Sequence, residues 1–344
     1  MYQEIQESPA QLRVKIKHAT GRQKRHLIGA LFLRSFAILA FAIIYISLFT
    51  TLFGSNNSYV GVASFCLLLS IRFVNYGYRL VDSLTVLSVI MVIFGLNGFL
   101  LPEMSPGLAF ILNFGSLMVI LMLTSAKPEF GNAGVYVFSY ILLTSNDLQT
   151  QVTSSSRIGA LLLATVFCGA VLVHQHAKAD AETSVQQILR QYTWNNPVLL
   201  WQLRLALGVA LALSLGKILG LPRIMWLGFA SMSILLPQKV FVSLRGLLRI
   251  LGVIIGSIIF AICLKVLPGE FVGMLGPFAG VCLGLTGSYL AASVLNCFGA
   301  LSAAYLLFGV LPASALRIHN NFLGIACGLL VMLIFSVIAA YFKK

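Results

Sequence analysis

Residues 27–53 read LIGALFLRSFAILAFAIIYISLFTTLF, an apolar run with one charge, Arg34. A helix needs about 20 such residues to cross the hydrocarbon core of a bilayer. The run is therefore a membrane span, and the rest of the chain repeats it. Apolar segments follow at 57–71, 81–101, 107–123, 132–145 and 156–173. After a polar linker at 174–197, six more lie at 198–219, 224–238, 247–267, 270–286, 288–310 and 318–341. The expected fold is an all-α membrane protein of about 12 transmembrane helices. The second, fifth and eighth segments are short, so they are read as tilted or broken; two re-entrant segments would leave ten spans.

Composition demands the same solvent. Of 344 residues, 59% are hydrophobic and 9% charged, where soluble domains carry roughly 25% charge. A soluble fold has too little interior for that much apolar surface. The formal net charge of +14 would point to nucleic acid in a soluble protein. Here the cations fall between apolar runs, so they read as topology, with the lipid bilayer and not nucleic acid as partner. With the N-terminus in the cytoplasm, the inner side receives Arg13, Lys15, Lys17, Arg22, Lys24, Arg25, Arg34, Arg72, Arg79, Lys127, Lys178, Arg190, Arg204, Lys239, Arg245, Arg249, Lys343 and Lys344. The outer side receives Arg157, Lys217, Arg223, Lys265 and Arg317. That asymmetry favours twelve spans with both termini inside. The basic N-terminus lacks the short apolar core of a cleavable signal peptide. Cys66, Cys168, Cys263, Cys282, Cys297 and Cys327 all sit in apolar stretches without metal spacing and read as small buried residues.

The two halves read as a repeat. Leu33-Arg34 and Leu203-Arg204 open the first helix of each half, and Arg79 matches Arg249 at the same offset. Leu101-Pro102 pairs with Leu267-Pro268, and Tyr140 with Tyr305. The division is a basic N-terminus at 1–26, a first six-helix repeat at 27–173, a linker at 174–197 and a second six-helix repeat at 198–344. Six helices is an even number, so the repeats are parallel, related by an axis along the membrane normal. In the linker, Val185, Ile188, Leu189 and Tyr192 have helical spacing. They read as a helix on the membrane surface or as a solvated connection.

A cation inside a membrane is costly and faces the bundle interior or a watery cavity. Arg34 and Arg204 are the first candidates for substrate binding, because a guanidinium grips a carboxylate with two parallel hydrogen bonds. The alternative is that both reach the headgroups and set topology only. Arg79, Arg245 and Arg249 flank third helices, where they make an inner mouth electropositive or simply obey the charge rule. Lys217 and Arg223 bracket a Gly-Leu-Pro turn, and Trp226 beyond it reads as an interfacial anchor. Asp82 and Glu270 stand at helix starts, either as proton relays or as dipole partners. Gly269, Gly273, Gly276, Gly280, Gly284 and Gly287 share one helical face, a surface for close packing, and Pro277 is expected to kink that helix. Gly252 and Gly256 form a second packing pair. No P-loop, HExxH, GxSxG or dinucleotide fingerprint occurs, so no enzyme, metal or cofactor is expected. His174-Gln-His176 reads as a solvated pair. Without an ATP site, pumping needs an ion gradient or another subunit.

Trp226-Leu-Gly-Phe-Ala, Leu236-Pro237 and Arg245-x3-Arg249-x2-Gly252-x3-Gly256, with Arg317 and Gly324 later, resemble the core of the fusaric acid resistance family of aromatic acid exporters. The resemblance covers about 199–341. The first half is a degenerate copy, with Asp82 and Val86 at the places of Gly252 and Gly256. The resemblance implies export of aromatic or other organic anions across a bacterial inner membrane. It also implies a small organic anion as ligand and a second copy or a periplasmic adaptor subunit as partner. The architecture further resembles plant malate channels, which implies a passive anion channel as one alternative. A non-transporting scaffold or envelope-assembly subunit is another.

Overall fold

The computed structural model describes residues 4, 6, 7, 9–145, 153–179, 182–193, 196–237 and 242–341. All of the regular structure in them is helical. The helices are α1 (Pro9–His18), α2 (Gly21–Phe53), α3 (Ser58–Ile71), α4 (Leu80–Leu100), α5 (Pro106–Thr124), α6 (Asn132–Thr144) and α7 (Ser154–His176). They continue as α8 (Val185–Arg190), α9 (Pro197–Ile218), α10 (Met225–Ile234), α11 (Val242–Val266), α12 (Gly269–Val272), α13 (Leu275–Leu285), α14 (Tyr289–Phe308) and α15 (Val310–Tyr341). Eight of these, α2, α4, α5, α7, α9, α11, α14 and α15, are long and apolar enough to cross a membrane. The other apolar segments became the shorter helices α3, α6, α10 and α13. Lys239, Lys343 and Lys344 lie outside the described residues.

Helix ends follow local chemistry. Pro106 and Pro197 open α5 and α9, where a missing N–H is harmless. Asn196 and Ser288 cap α9 and α14 through Val198 N and Ala291 N. Three boundaries differ from the sequence expectation. α2 and α15 begin at Gly21 and Val310, well before residues 27 and 318. Residues 311–317, left between the last two expected spans, are helix as well. The glycine-rich segment is broken between Val272 and Leu275, ahead of Pro277. Pro277 then occupies the first turn of α13, where proline is tolerated.

The chain forms two compact units. One comprises residues 1–44 and 244–322, the other 45–243 and 323–344. In the first, Leu12 of α1 and Ala19 just beyond it cluster with Leu27 and Leu31 of α2, with Leu285 alongside. Gly284 and Gly280 of α13 face Ser35 and Leu39 of α2, so these helices run antiparallel. Gly252 and Gly256 of α11 lie against Ser293 and Cys297 of α14, in parallel. A methyl group at Gly252 would fall 2.5 Å from Ser293 Cβ, and one at Gly256 would fall 2.6 Å from the Val294 carbonyl. Small residues let backbones meet at this separation in lipid.

In the second unit, α9 is the central helix, packed on α5 and α10. Gly208 meets Leu235 and Gly216 meets Ile224, which makes α9 and α10 antiparallel. Gly324 and Gly328 of α15 lie on Leu227 and Ile234 of α10, in parallel. Trp201 donates to the Leu235 carbonyl (3.0 Å). Gln202 donates to the carbonyls of Leu121 and Ser125 (both 3.1 Å) and to Tyr192 Oη (3.0 Å). Trp226 is 2% exposed, a core side chain and not an interfacial anchor. The linker contains the helix α8, held by a Ser184–Gln187 capping box. Its Ile188 is buried, and Tyr192 beyond it donates to the Met122 carbonyl (3.4 Å). Val185 and Leu189 on the same face are half-buried.

Candidate functional site

In the first unit α11 carries Arg249 one turn before Gly252, whose missing side chain brings α14 close. Arg249 is 9% exposed, and its Nε donates to Asn321 Oδ1 (3.0 Å) on α15. Asn321 Nδ2 donates in turn to the Arg317 carbonyl (2.8 Å). Arg317, Asn320 and Asn321 are all buried. The Arg317 charge interacts with that of Arg249, and its side chain bonds Cys297. Among the described residues no carboxylate lies within ion-pair distance of Arg249. Two cations thus lie buried in neighbouring helices, with the Asn321 amide between them. Arg317 had been placed in an outer loop; it is buried in α15. At the start of α11, Arg245 stacks on the Tyr289 ring (4.1 Å from its centroid).

The second unit contains a cavity of about 290 Å³. Leu101, Pro102, Ala109, Leu213, Leu221 and Ile224 supply most of its apolar wall, and Asn113, Thr144, Ser145, Ser214 and Lys217 its polar groups. Lys217, in the last turn of α9, donates to the carbonyls of Leu101 (2.5 Å) and Pro102 (3.2 Å). These carbonyls follow the C-terminal end of α4, where a cation is favourable. Asn113 Oδ1 accepts from Tyr140 Oη (2.8 Å), which itself accepts from Asn97 Nδ2 (3.0 Å). The Ser214 hydroxyl has no hydrogen-bond partner among the described residues.

Arg204 is in the same unit, 3% exposed, with Nη1 against Met332 Sδ (3.4 Å) and Nε without a hydrogen-bond partner among the described residues. Arg34 belongs to the other unit and is half-buried on α2. Arg79 and Asp82 have different work. Arg79 Nε pairs with Asp82 Oδ1 (3.1 Å), and Asp82 Oδ2 accepts from Val185 N (2.9 Å). The Arg79 backbone N–H donates to the Thr183 carbonyl (2.8 Å). Together they tie the start of α8 to the start of α4. Glu270 is exposed in α12. Of the six stripe glycines, Gly280 and Gly284 meet α2, Gly276 lies 3.9 Å from Ser302 Oγ, and Gly269 and Gly273 face open space. His176 Nε2 bonds the Ile71 carbonyl (2.6 Å).

Sequence reasoning singled out Arg249, Arg204 and Lys217 but passed over Asn321, Asn113 and Ser214. Asparagines within apolar runs were the available signal, since buried amides need partners. Residues 209–331 match the family described as Fusaric acid resistance protein-like. That span contains Lys217, Arg245, Arg249 and Arg317, and leaves out Arg34, Arg79 and Arg204. Neither a curated protein nor a solved structure is matched by the chain.

Proposed function

We propose that this chain, whose residues 209–331 are fusaric acid resistance protein-like, is a secondary transporter that exports organic anions across the bacterial inner membrane. Aromatic carboxylates are the proposed substrates, and both termini lie in the cytoplasm. One observation carries the reading. Arg204, Arg249 and Lys217 sit in apolar helices against sulfur, amide and carbonyl groups, with no carboxylate in ion-pair distance among the described residues. A cation used only for structure is usually neutralised by a carboxylate, because desolvated charge is expensive. Cations held by neutral dipoles remain attractive to a passing anion, and a guanidinium offers the carboxylate a two-pronged grip. Arg34 and Arg245, in the first unit with Arg249, are proposed as further substrate-binding cations. With Arg79 engaged by Asp82, its proposed role is to make the cytoplasmic entrance electropositive. No catalytic role is proposed for any residue.

The test is uptake of labelled 4-hydroxybenzoate into inverted membrane vesicles. Wild-type vesicles should accumulate label when a proton gradient is imposed. Arg249→Gln should reduce the initial rate at least about tenfold, the loss of a charge-assisted contact, and Arg34→Ala with Arg204→Ala should reduce it further. Equal uptake by wild-type and all variants would remove these cations from the path.

A further inference from the structure

We propose that the cavity beside Lys217 is a binding site for the carboxylate of a small, largely apolar organic acid. The proposal rests on the transport reading for its biological sense, but its chemistry stands on the cavity itself. Three hydrogen-bond donors of different kinds face one space. The Lys217 ammonium has three N–H groups, and carbonyls of Leu101 and Pro102 take two of them. The third is left for a ligand. Ser214 is 5% exposed, lines the cavity, and offers a hydroxyl that no protein group engages among the described residues. Asn113 is 4% exposed, with its carbonyl oxygen committed to Tyr140. That commitment turns the amide NH2, which makes no hydrogen bond among the described residues, into the remaining donor.

Buried polar groups without partners are rare, because each forfeits its solvation. A carboxylate would satisfy all three donors at once, and its negative charge would sit beside an ammonium. A neutral or cationic ligand would not. The Glu103 carboxylate, whose charge acts on Lys217, does not line the cavity and makes no ion pair with it. The size sets the rest. At about 290 Å³ the cavity lies at the lower edge of the roughly 300–1,000 Å³ seen for small-molecule sites. Its leucine, isoleucine, proline and alanine walls suit a compact hydrocarbon body such as one ring, and exclude a polyanion or a sugar acid.

The same geometry separates this site from the Arg249 layer, which belongs to the other compact unit. The two are therefore testable apart. Equilibrium dialysis of the purified full-length protein in detergent against labelled 4-hydroxybenzoate should show saturable binding. Ser214→Ala, which removes only the hydroxyl, and Asn113→Leu, which keeps the branched outline, should weaken it at least about fivefold, the worth of one hydrogen bond. Lys217→Met should weaken it more than tenfold, and 4-hydroxybenzamide should fail to compete. Thermal unfolding of each variant identifies any that do not fold; Ser214→Ala, which removes no bond made among the described residues, is the decisive one. No binding by wild-type, wild-type affinity in Ser214→Ala and Asn113→Leu, or full competition by the amide would each overturn the proposal. Vesicle uptake on the same variants separates the two readings. Transport by wild-type without saturable binding, or with binding unchanged in the variants, sinks this site alone, whereas binding without any transport by wild-type sinks the transporter reading and leaves the site standing.

Discussion

Asn321 is the residue on which the first unit's buried charge depends. It accepts from Arg249 and donates to the Arg317 carbonyl, so both ends of its amide are used. Replacing it by leucine keeps the volume and removes both bonds. Arg249 would then be buried without its acceptor, a loss of about 1.5–3 kcal/mol for a hydrogen bond to a charged group. Asn321→Leu should therefore lower the thermal midpoint in detergent, and Asn321→Asp should restore an acceptor and return most of the loss. A midpoint unchanged in Asn321→Leu would mean that Arg249 is solvated by water instead. Asp82 is also legible at this scale, in a different sense from its sequence reading. A carboxylate at a helix start suits either a proton relay or a dipole partner; here its oxygens are taken by Arg79 and the Val185 N–H. Asp82→Ala should release the start of α8, seen as faster limited proteolysis between residues 177 and 184.

Among the elements, α11 and α14 approach closely at two glycines in the first unit. A valine at Gly256 would put its Cβ within 3 Å of the Val294 carbonyl and the Cys297 side chain. The helices would have to separate, and overpacking of this kind costs about 1–3 kcal/mol. Gly256→Val should reduce the yield of folded protein by size-exclusion chromatography, while Gly269→Val, at a position facing open space, should not. Gly309 joins α14 to α15 as a single non-helical residue at φ 80°, a conformation that side chains resist. The apolar segments were readable because lipid imposes length and composition on every span. Three features were not. The start of α15 was hidden because Arg317, a cation between two apolar runs, reads as a loop residue, whereas it is buried within the helix. The break in the glycine stripe falls between Val272 and Leu275, where spacing alone predicts continuity. α8 was visible as an apolar pattern, but periodicity does not say whether protein or lipid covers it.

At the scale of the whole molecule, the two compact units draw on separated parts of the sequence, and α2, α11 and α15 each contribute to both. Apolar content and an all-helical membrane architecture were open to the sequence, since composition is a sum over residues; twelve apolar segments were expected, and eight helices are long and apolar enough to cross a membrane. The cavity was not, because Asn113, Ser214 and Lys217 come from two helices whose packing no local pattern encodes. Sidedness belongs to this scale as well. Pairwise directions within each unit agree with alternating crossings: α9 against α10, α10 with α15, α11 with α14, and α13 against α2. Fluorescent-protein fusions to either terminus should therefore glow, and alkaline phosphatase fusions should stay inactive, as expected for cytoplasmic ends. Active phosphatase at one end alone would require an odd number of crossings.

The amide bridge between α11 and α15 also has a bearing on how the protein is made. A ribosome delivers α11 long before α15, so Arg249 enters the bilayer while its acceptor is still unsynthesised. An arginine near the centre of a lone span costs the insertion machinery about 2.5–3.5 kcal/mol. Until the last helix emerges, the nascent chain must hold that guanidinium in water, at the headgroups, or inside a chaperoning insertase. Biogenesis then ends with a step that seals the polar centre from the carboxyl-terminal side, and chains stopped at Gly309 should be cleared by membrane proteases.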